Sequence, residues 1–417
     1  MLDVDARLSE LEELGVYRRM RMVSGPQGPR VVLDGRPVLL LCSDNHLGLA
    51  DHPRVREASA DAAMRWGAGA GAPRPGAGTM TLHRRLEERL ADFLGTDAAL
   101  LFGSGYLTNL GVVPALAERG EIVFTDALNH PSVADACRLA GAEAFVYDHG
   151  DADHLAWGLR NADGRAALIV TEGVFALDGD VAPLEAIVAL AHRFDVRVMV
   201  GEAHGLGAVG PEGRGAVAAA GLARQVDVIV GSLGTGLGAA GGFAACDRTL
   251  ARYLATHART FAGSTALPPP AAAAAMAALE LLREQPRRVE KLQDNAAVLR
   301  TELAREGFDV AGADAHVVSL VVGDARLAVR IAELALEQGV YVGAVRPPDV
   351  PEGCARLRLA AMASHTKSEL RDAARVLGRA ALRAGFRPGA GVPVVVAQEP
   401  AQAGPRVFDG AALPRAA

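Results

Sequence analysis

Lysine is almost absent from this chain of 417 residues, in which Lys291 and Lys367 are the only two among 43 basic residues. Chemistry that needs a lysine amine therefore has few side chains available. Basic charge is not in excess either, because 49 acidic residues bring the formal charge to -6. Without a basic excess or a long basic tract, we expect no nucleic-acid partner.

Cysteine is scarce and widely spaced, at Cys42, Cys137, Cys246 and Cys354. No CxxC pair or Cys/His spacing typical of zinc ligands is present, so we expect free thiols, no metal site and a cytoplasmic protein. The most apolar long stretch, 266–282, contains three prolines and a glutamate. The N-terminus lacks the basic-then-apolar order of a signal peptide and predicts an amphipathic helix, so we expect no membrane segment.

Half of the residues are apolar, which is enough for a large packed core. Short β-like runs alternate with helical segments from about residue 95, and this alternation predicts an α/β fold with a mostly parallel, doubly wound sheet. The expected strands are 98–102, 121–125, 144–147, 166–171, 197–200, 226–230 and 242–245 in that sheet, and 317–322 later in the chain.

The pattern changes after residue 265 to long helices followed by a single strand, which predicts a second, smaller C-terminal α/β domain. The expected units are an N-terminal helical segment (1–44), a large α/β domain (45–265), a small C-terminal α/β domain (266–384) and a tail (385–417). Because the tail is rich in Gly, Pro and Ala, we expect it to be disordered or to pair with a sheet edge.

Small and polar residues cluster where predicted strands end. Ser104, Gly105 and Tyr106 lie between a strand and a helix, where backbone N–H groups can hold an anion, although an ordinary glycine turn has the same pattern. Further polar clusters follow later strands, at 125–132, at His149 and at 171–180. Open α/β sheets bind ligands at the carboxyl ends of their strands, so we expect one site there.

These segments, taken in order, resemble the α-oxoamine synthases, which are fold-type I pyridoxal phosphate (PLP) enzymes. The matching segments are Asn45–Ala50, Gly78-Thr79 followed by His83 and Leu86-Glu87, Ser104–Tyr106, Asn129-His130, Glu202–His204, Gly213–Gly215, Ser264–Pro269, and Arg346–Pro348 with Arg356–Arg358. The resemblance runs from about residue 45 to residue 377. It implies a fold-type I aminotransferase-like fold, a homodimer, and transfer of an acyl group from a thioester, usually of CoA, to an amino acid. His46 stands where the family usually has tyrosine.

Two positions depart from the family pattern. The frame of 231–243 places Thr235 where the family has the lysine that forms an imine with PLP, and Gly201 stands where the family has an aspartate that pairs with the pyridinium nitrogen. The lysine supplies the transferable imine, and the aspartate keeps the ring nitrogen protonated. Since both are missing, the sequence predicts no cofactor, with PLP lost or at most held non-covalently.

Without the protonated PLP ring to accept electron density, the expected activity is a PLP-independent acyl transfer in specialised metabolism. The donor would be an acyl-CoA or an acyl carrier protein, and the small-molecule acceptor would supply an amine, a hydroxyl or a decarboxylated malonyl-type carbon. His130 or His204 is the expected general base, with Glu202 or Asp126 orienting the imidazole. Thr235 is expected to donate a hydrogen bond to the intermediate. The expected binding residues are Asn45, Ser104, Gly105, Tyr106, Asp126, Asn129, Thr265 and Arg358.

Three alternatives stay open. Some members of the family pair a catalytic subunit with a homologous subunit that lacks the lysine, so this chain could be such a non-catalytic subunit. It could also retain PLP-dependent acyl-CoA:amino acid C-acyltransferase activity. Finally, the surviving histidines could only satisfy one another in a packed cleft.

Overall fold

The computed structural model describes residues 3–14, 16–310, 312 and 314–389. Its strands are β1 (Val23–Ser24), β2 (Arg30–Leu33), β3 (Arg36–Leu40), β4 (Ala98–Phe102), β5 (Ile122–Asp126), β6 (Glu143–Tyr147), β7 (Ala166–Glu172), β8 (Arg197–Gly201), β9 (Val228–Ser232), β10 (Gly242–Cys246), β11 (Val317–Gly323), β12 (Val340–Tyr341), β13 (Gly343–Val345) and β14 (Ala355–Ala360).

The α-helices are α1 (Val4–Glu13), α2 (Pro53–Trp66), α3 (Thr81–Leu94), α4 (Gly105–Leu116), α5 (Pro131–Ala140), α6 (Ala152–Arg160), α7 (Leu184–Phe194), α8 (Ala216–Ala219), α9 (Arg248–His257), α10 (Arg259–Ala262), α11 (Pro269–Glu284), α12 (Arg287–Arg305), α13 (Ala325–Glu337) and α14 (Lys367–Ala384). Most of the tail for which we predicted disorder or edge pairing, 390–417, lies outside the described residues.

The central sheet has seven strands in the order β4-β10-β9-β8-β7-β5-β6. The pairs β5–β6, β5–β7, β7–β8 and β8–β9 are parallel, whereas β10 is antiparallel to both of its neighbours. All five residues of β5 are buried, as expected for a strand that lies between two layers of helices. The predicted α/β fold with a mostly parallel sheet is therefore confirmed.

Two smaller sheets complete the fold. Strands β11, β14 and β13 form an antiparallel sheet that contacts α12 and α13. The N-terminal segment contains the expected helix α1, but it is not helical throughout, because β1, β2 and β3 follow it and pair with β12. Strand β2 alternates exposed and buried residues, the pattern of a strand with one face in solvent.

The carboxyl ends of β4, β5, β6, β7, β8 and β9 lie at one edge of the central sheet, with β6 aligned by its parallel pairing with β5. The parallel pairing aligns β5, β7, β8 and β9, and β4 runs in the same direction because β10 is antiparallel to both β4 and β9. The polar clusters singled out in the sequence follow these ends, so the fold places them on one side of the molecule. Within the described ranges, no helix is both long and apolar enough to cross a membrane.

Candidate active site

The turn from β4 into α4 forms a cradle of backbone donors. Ser104 caps α4, and its Oγ accepts a hydrogen bond from the Leu107 N–H at 3.1 Å. A Cβ placed on Gly105 would lie 3.4 Å from the Cβ of Ser232, so the end of β9 lies against this turn. The first turn of a helix leaves backbone N–H groups without helical partners, which suits an anion such as a phosphate.

His130 presents an open ring beside this cradle. It caps α5, its Nδ1 lies 2.7 Å from the Ser132 Oγ, and the residue is exposed. The Tyr106 ring meets it edge-on with the ring centroids 5.9 Å apart, and the Tyr106 hydroxyl donates to Asp135. Desolvation lowers the pKa of His130, against the opposing effect of Asp135, so the imidazole is neutral near pH 7. A neutral, open ring can stack on a planar ligand.

Asp126 orients a different histidine from the two that were expected. Its carboxylate lies 2.9 Å from the Nδ1 of His149 and accepts hydrogen bonds from the backbone N–H groups of Leu128 and Gly150. The Nε2 of His149 lies 2.8 Å from the Oδ2 of Asp180. Burial alone would lower the pKa of His149, but the two carboxylates raise it to about 10. His149 is therefore a protonated bridge between two acidic side chains.

Glu202 also binds backbone rather than an imidazole. It is fully buried, and its Oε1 accepts a hydrogen bond from the Val217 N–H at 2.7 Å. A Cβ on Gly205 or Gly215 would lie 1.6 Å or 2.5 Å from its carboxyl group, so both glycines make room for this side chain. Burial raises the pKa of Glu202 to about 7. The expectation that Glu202 or Asp126 orients His130 or His204 is not met, because in the described structure neither carboxylate is hydrogen bonded to either ring.

Glu172 belongs to the polar cluster 171–180, in which the sequence analysis gave it no role of its own, and it occupies the space beside Gly201. A Cβ at position 201 would lie 2.2 Å from the Glu172 Oε2. Burial raises the pKa of Glu172 to about 8, with Glu202 and Asp126 adding to the rise and the backbone N–H of His130 opposing it. A protonated carboxyl group therefore lies where the side chain of an aspartate at position 201 would begin.

Thr235 is held by the backbone. Its hydroxyl donates to the carbonyl oxygens of Ala203 at 2.5 Å and Ser232 at 3.3 Å, so the donor predicted to stabilise an intermediate is already engaged. Lys291 and Lys367 are exposed residues of α12 and α14. The lysines therefore lie on surface helices and not beside Thr235.

Most of the other predicted binding residues also contact neighbouring backbone. The amide of Asn45 accepts from the Ala50 N–H at 3.1 Å and donates to the Gln27 carbonyl at 3.2 Å. Asn129 donates to the Thr125 hydroxyl and to the Val170 carbonyl, both at 2.8 Å. Arg358 donates to the Ala176 carbonyl at 2.6 Å and to Asp44 at 3.1 Å. Thr265 is exposed and forms a β-bridge with Pro73.

Three buried histidines meet behind this site. His46 follows β3, His204 follows β8, and His316 precedes β11. One ligand atom of each lies within 4.8 Å of those of the other two. Burial and the charge of Arg358 lower the pKa of all three rings, so the imidazoles are neutral. Sequence analysis missed His316, because a single histidine before an apolar run carries no signal of its own.

Residues 36–377 match the family model of class I and II aminotransferases. The chain is 46% identical over 374 residues to an 8-amino-7-oxononanoate synthase of Citrifermentans bemidjiense, covering 88% of this chain and 96% of that protein. It is 45% identical over 379 residues to the enzyme of the same name from Geobacter sulfurreducens, covering 90% and 97%.

Among solved structures, a serine palmitoyltransferase of S. paucimobilis superposes with a TM-score of 0.87 at 31% identity, covering 92% of this chain and 97% of that one. That structure is of a lysine-to-alanine variant with a bound PLP–myriocin aldimine. Such neighbours overturn the expectation of a PLP-independent acyltransferase without a cofactor, because this relative holds PLP and the similar curated proteins are named as synthases of this PLP-using class. The chain belongs to the α-oxoamine synthase family of fold-type I PLP enzymes.

Proposed function

We propose that this chain is a PLP-using α-oxoamine synthase that transfers an acyl group from a CoA or carrier-protein thioester to a small amino acid. We further propose that PLP is attached through the amino group of the substrate, and not through a side chain of the chain. The observation that carries this proposal is the cradle at the ends of β4 and β9, next to the open ring of His130.

The residues present fit the phosphate and the ring of PLP. The Ser104–Gly105 turn, with Ser232 beside it, would hold the phosphate through backbone N–H groups and hydroxyls. His130 would stack on the ring. Glu172 would hold a proton beside the ring nitrogen, because its carboxyl group occupies the space beside Gly201 and its pKa is raised to about 8.

Residue 235 does not fit a covalent attachment, because a threonine hydroxyl cannot form an imine and the two lysines lie on exposed helix surfaces. Bound PLP supplies an aldehyde that condenses with an amino group and a ring that accepts electron density. The amino group can come from the substrate. The serine palmitoyltransferase variant supports this step, since a lysine of that protein is replaced by alanine and PLP is joined to myriocin.

A homodimer is part of the proposal. In the family that the sequence resembles, the segment at Ser264-Thr265 reaches the phosphate site of the neighbouring subunit. Thr265 is exposed here, next to Pro73, so it can contact a second copy of the chain. Light scattering coupled to gel filtration should therefore give twice the chain mass of 43.2 kDa.

The activity test measures free CoA released from a panel of acyl-CoA thioesters with small L-amino acids, with and without added PLP. We expect release that depends on both PLP and the amino acid. His130→Ala should weaken PLP binding, measured by equilibrium dialysis, by about tenfold, on the scale of one aromatic contact. His192→Ala, which changes an exposed residue of α7, is the matched control and should bind PLP normally. Release that is equal without PLP, or that needs an added lysine-bearing homologue, would overturn the proposal.

A further inference from the structure

His46, His204 and His316 form a compact cluster from three segments that are far apart in the chain. The ring centroids of His46 and His316 lie 3.8 Å apart, those of His46 and His204 lie 5.3 Å apart, and those of His204 and His316 lie 6.2 Å apart. The exposed fractions are 0% for His46 and His316 and 8% for His204. The cluster is therefore part of the interior and not a chance grouping on the surface.

The cluster leaves most of its polar atoms unsatisfied. Both ring nitrogens of His46, both of His316 and the Nδ1 of His204 are buried and have no hydrogen-bond partner among the residues that the structure describes. A buried polar group without a partner destabilises the folded state, so five such atoms in one place need an explanation. An ion bound between the rings would take the lone pair of one nitrogen from each imidazole, and so would account for up to three of these five atoms.

The surroundings of the cluster suit a cation. The Oδ1 of Asp44 lies 3.9 Å from the Nε2 of His46, too far for a hydrogen bond but close enough to form one after a small movement. A carboxylate in that position typically orients an imidazole that binds a metal through its other nitrogen. Arg358 is the nearby positive charge, and its guanidinium is paired with Asp44 and with the Ala176 carbonyl.

We propose that His46, His204 and His316 bind a divalent cation of the Zn²⁺ class. Three imidazoles with a fourth position left for water or a substrate atom are a common ligand set for such ions. Zinc–nitrogen distances of about 2.0–2.1 Å in tetrahedral geometry require ligand atoms roughly 3.3 Å apart. The ligand atoms of the three histidines already lie within 4.8 Å of one another, so binding an ion requires only adjustment of these side chains. This site does not depend on the proposed function, since neither PLP nor an acyl thioester enters the argument.

The test uses cobalt(II) as the probe on full-length protein that has been stripped with a chelator and contains no PLP. We expect one Co²⁺ per chain by elemental analysis and the intense visible absorption of a four- or five-coordinate site. Added Zn²⁺ should remove that absorption and raise the melting temperature of the protein.

Two variants test the ligands separately. His316→Gln and His46→Tyr should each weaken Zn²⁺ binding on the order of 100-fold or more, beyond the 10–100-fold typical of losing a group that only orients a ligand. His46→Tyr installs the residue that the resembled family usually has, which favours a folded variant. His192→Ala controls for binding to surface histidines and should behave as wild type.

Wild-type protein that takes up no ion, or a folded His316→Gln or His46→Tyr protein that binds as tightly as wild type, would overturn the proposal. Measuring PLP binding on the same His316→Gln sample separates this test from that of the proposed function. We expect that binding to be retained, because no contact that we assign to PLP involves His316.

Discussion

The carboxyl group of Glu172 occupies the space that a side chain at position 201 would need, because a Cβ on Gly201 would lie 2.2 Å from the Oε2 of Glu172. The glycine lets the glutamate carboxyl group fill the place where the resembled family has an aspartate side chain. The loss of that aspartate therefore does not leave the site without an acid. A buried carboxyl group with a pKa raised to about 8 remains there.

The first prediction tests this coupling through stability. Gly201→Ala should lower the free energy of unfolding by about 1–3 kcal/mol, the usual range for forcing extra atoms into a packed interior. The same substitution in a Glu172→Ala background should lose much less, because the colliding carboxyl group is gone. Urea unfolding of the four proteins measures the difference. Equal losses in both backgrounds would show that Glu172 does not occupy this space.

The second prediction concerns the pH dependence of the PLP-free protein. Since the pKa of Glu172 is raised to about 8 from its ordinary 4.5, the folded protein keeps a proton that the unfolded chain releases. The free energy of unfolding should therefore fall as pH rises from about 4.5 to about 8, and Glu172→Gln should flatten part of that fall. Urea titrations at several pH values compare the two proteins. An identical slope in both would contradict the buried, protonated carboxyl group.

The third prediction concerns His149, whose pKa is raised in the folded protein, as that of Glu172 is. Asp126 and Asp180 raise its pKa to about 10 from 6.5, although burial acts against them. The stabilisation from this ion bridge is fully present below pH 6.5 and is lost as pH rises towards 10. His149→Gln should therefore be most destabilising at the acid end of that window and least at the alkaline end. A pH-independent difference in thermal unfolding would show that His149 is not charged.

The fourth prediction concerns the buried ion pair between Arg74 and Glu87, whose side chains are 4% and 3% exposed. Two hydrogen bonds of 2.7 Å and 3.0 Å join the guanidinium to the carboxylate. Arg74→Ala should lower the free energy of unfolding by about 3–5 kcal/mol, because it removes the buried guanidinium and leaves the buried carboxylate with only the Leu101 N–H at 3.1 Å and the exposed Arg84 at 3.7 Å.

Arg224 and Asp97 form a matched exposed pair, with side chains 72% and 44% exposed. Arg224→Ala should lower the free energy of unfolding by only about 0–1 kcal/mol, since water screens that pair. Chemical denaturation of both variants gives the comparison. Similar losses for the two arginines would contradict a special role for the buried pair.

The central sheet was predictable from sequence because its strands are apolar runs enclosed by helices. Strand β5 was expected at 121–125 and lies at Ile122–Asp126, and β4 has the bounds that were expected. Strand β2 was missed although it has a local pattern, since its residues alternate and the two-residue turn Asp34-Gly35 joins it to β3 in an antiparallel hairpin. Only the pairing of β3 with β12 joins residues far apart in the chain, and that pairing leaves no local pattern.

The directions of side chains at the site were not predictable in the same way. The motif that contains Glu202 does not reveal that the carboxyl group turns towards the Val217 N–H and away from His204. His316 lies beside His46 and His204 only in the folded chain, because the three histidines lie at the ends of three separate strands. The absence of a zinc-type Cys/His spacing argued against a metal site, but such a spacing pattern could not reveal three histidines so far apart in the sequence.

The lysine scarcity of the chain allows the central claim to be tested most directly. Lys291→Arg/Lys367→Arg removes both lysines, which are exposed on α12 and α14, and leaves no lysine anywhere in the chain. CoA release from an acyl-CoA with an amino acid should remain PLP-dependent at the wild-type rate, and borohydride should add no PLP mass to the protein. Loss of turnover in this folded variant, or a wild-type PLP adduct that the variant lacks, would mean that one of the two lysines holds PLP.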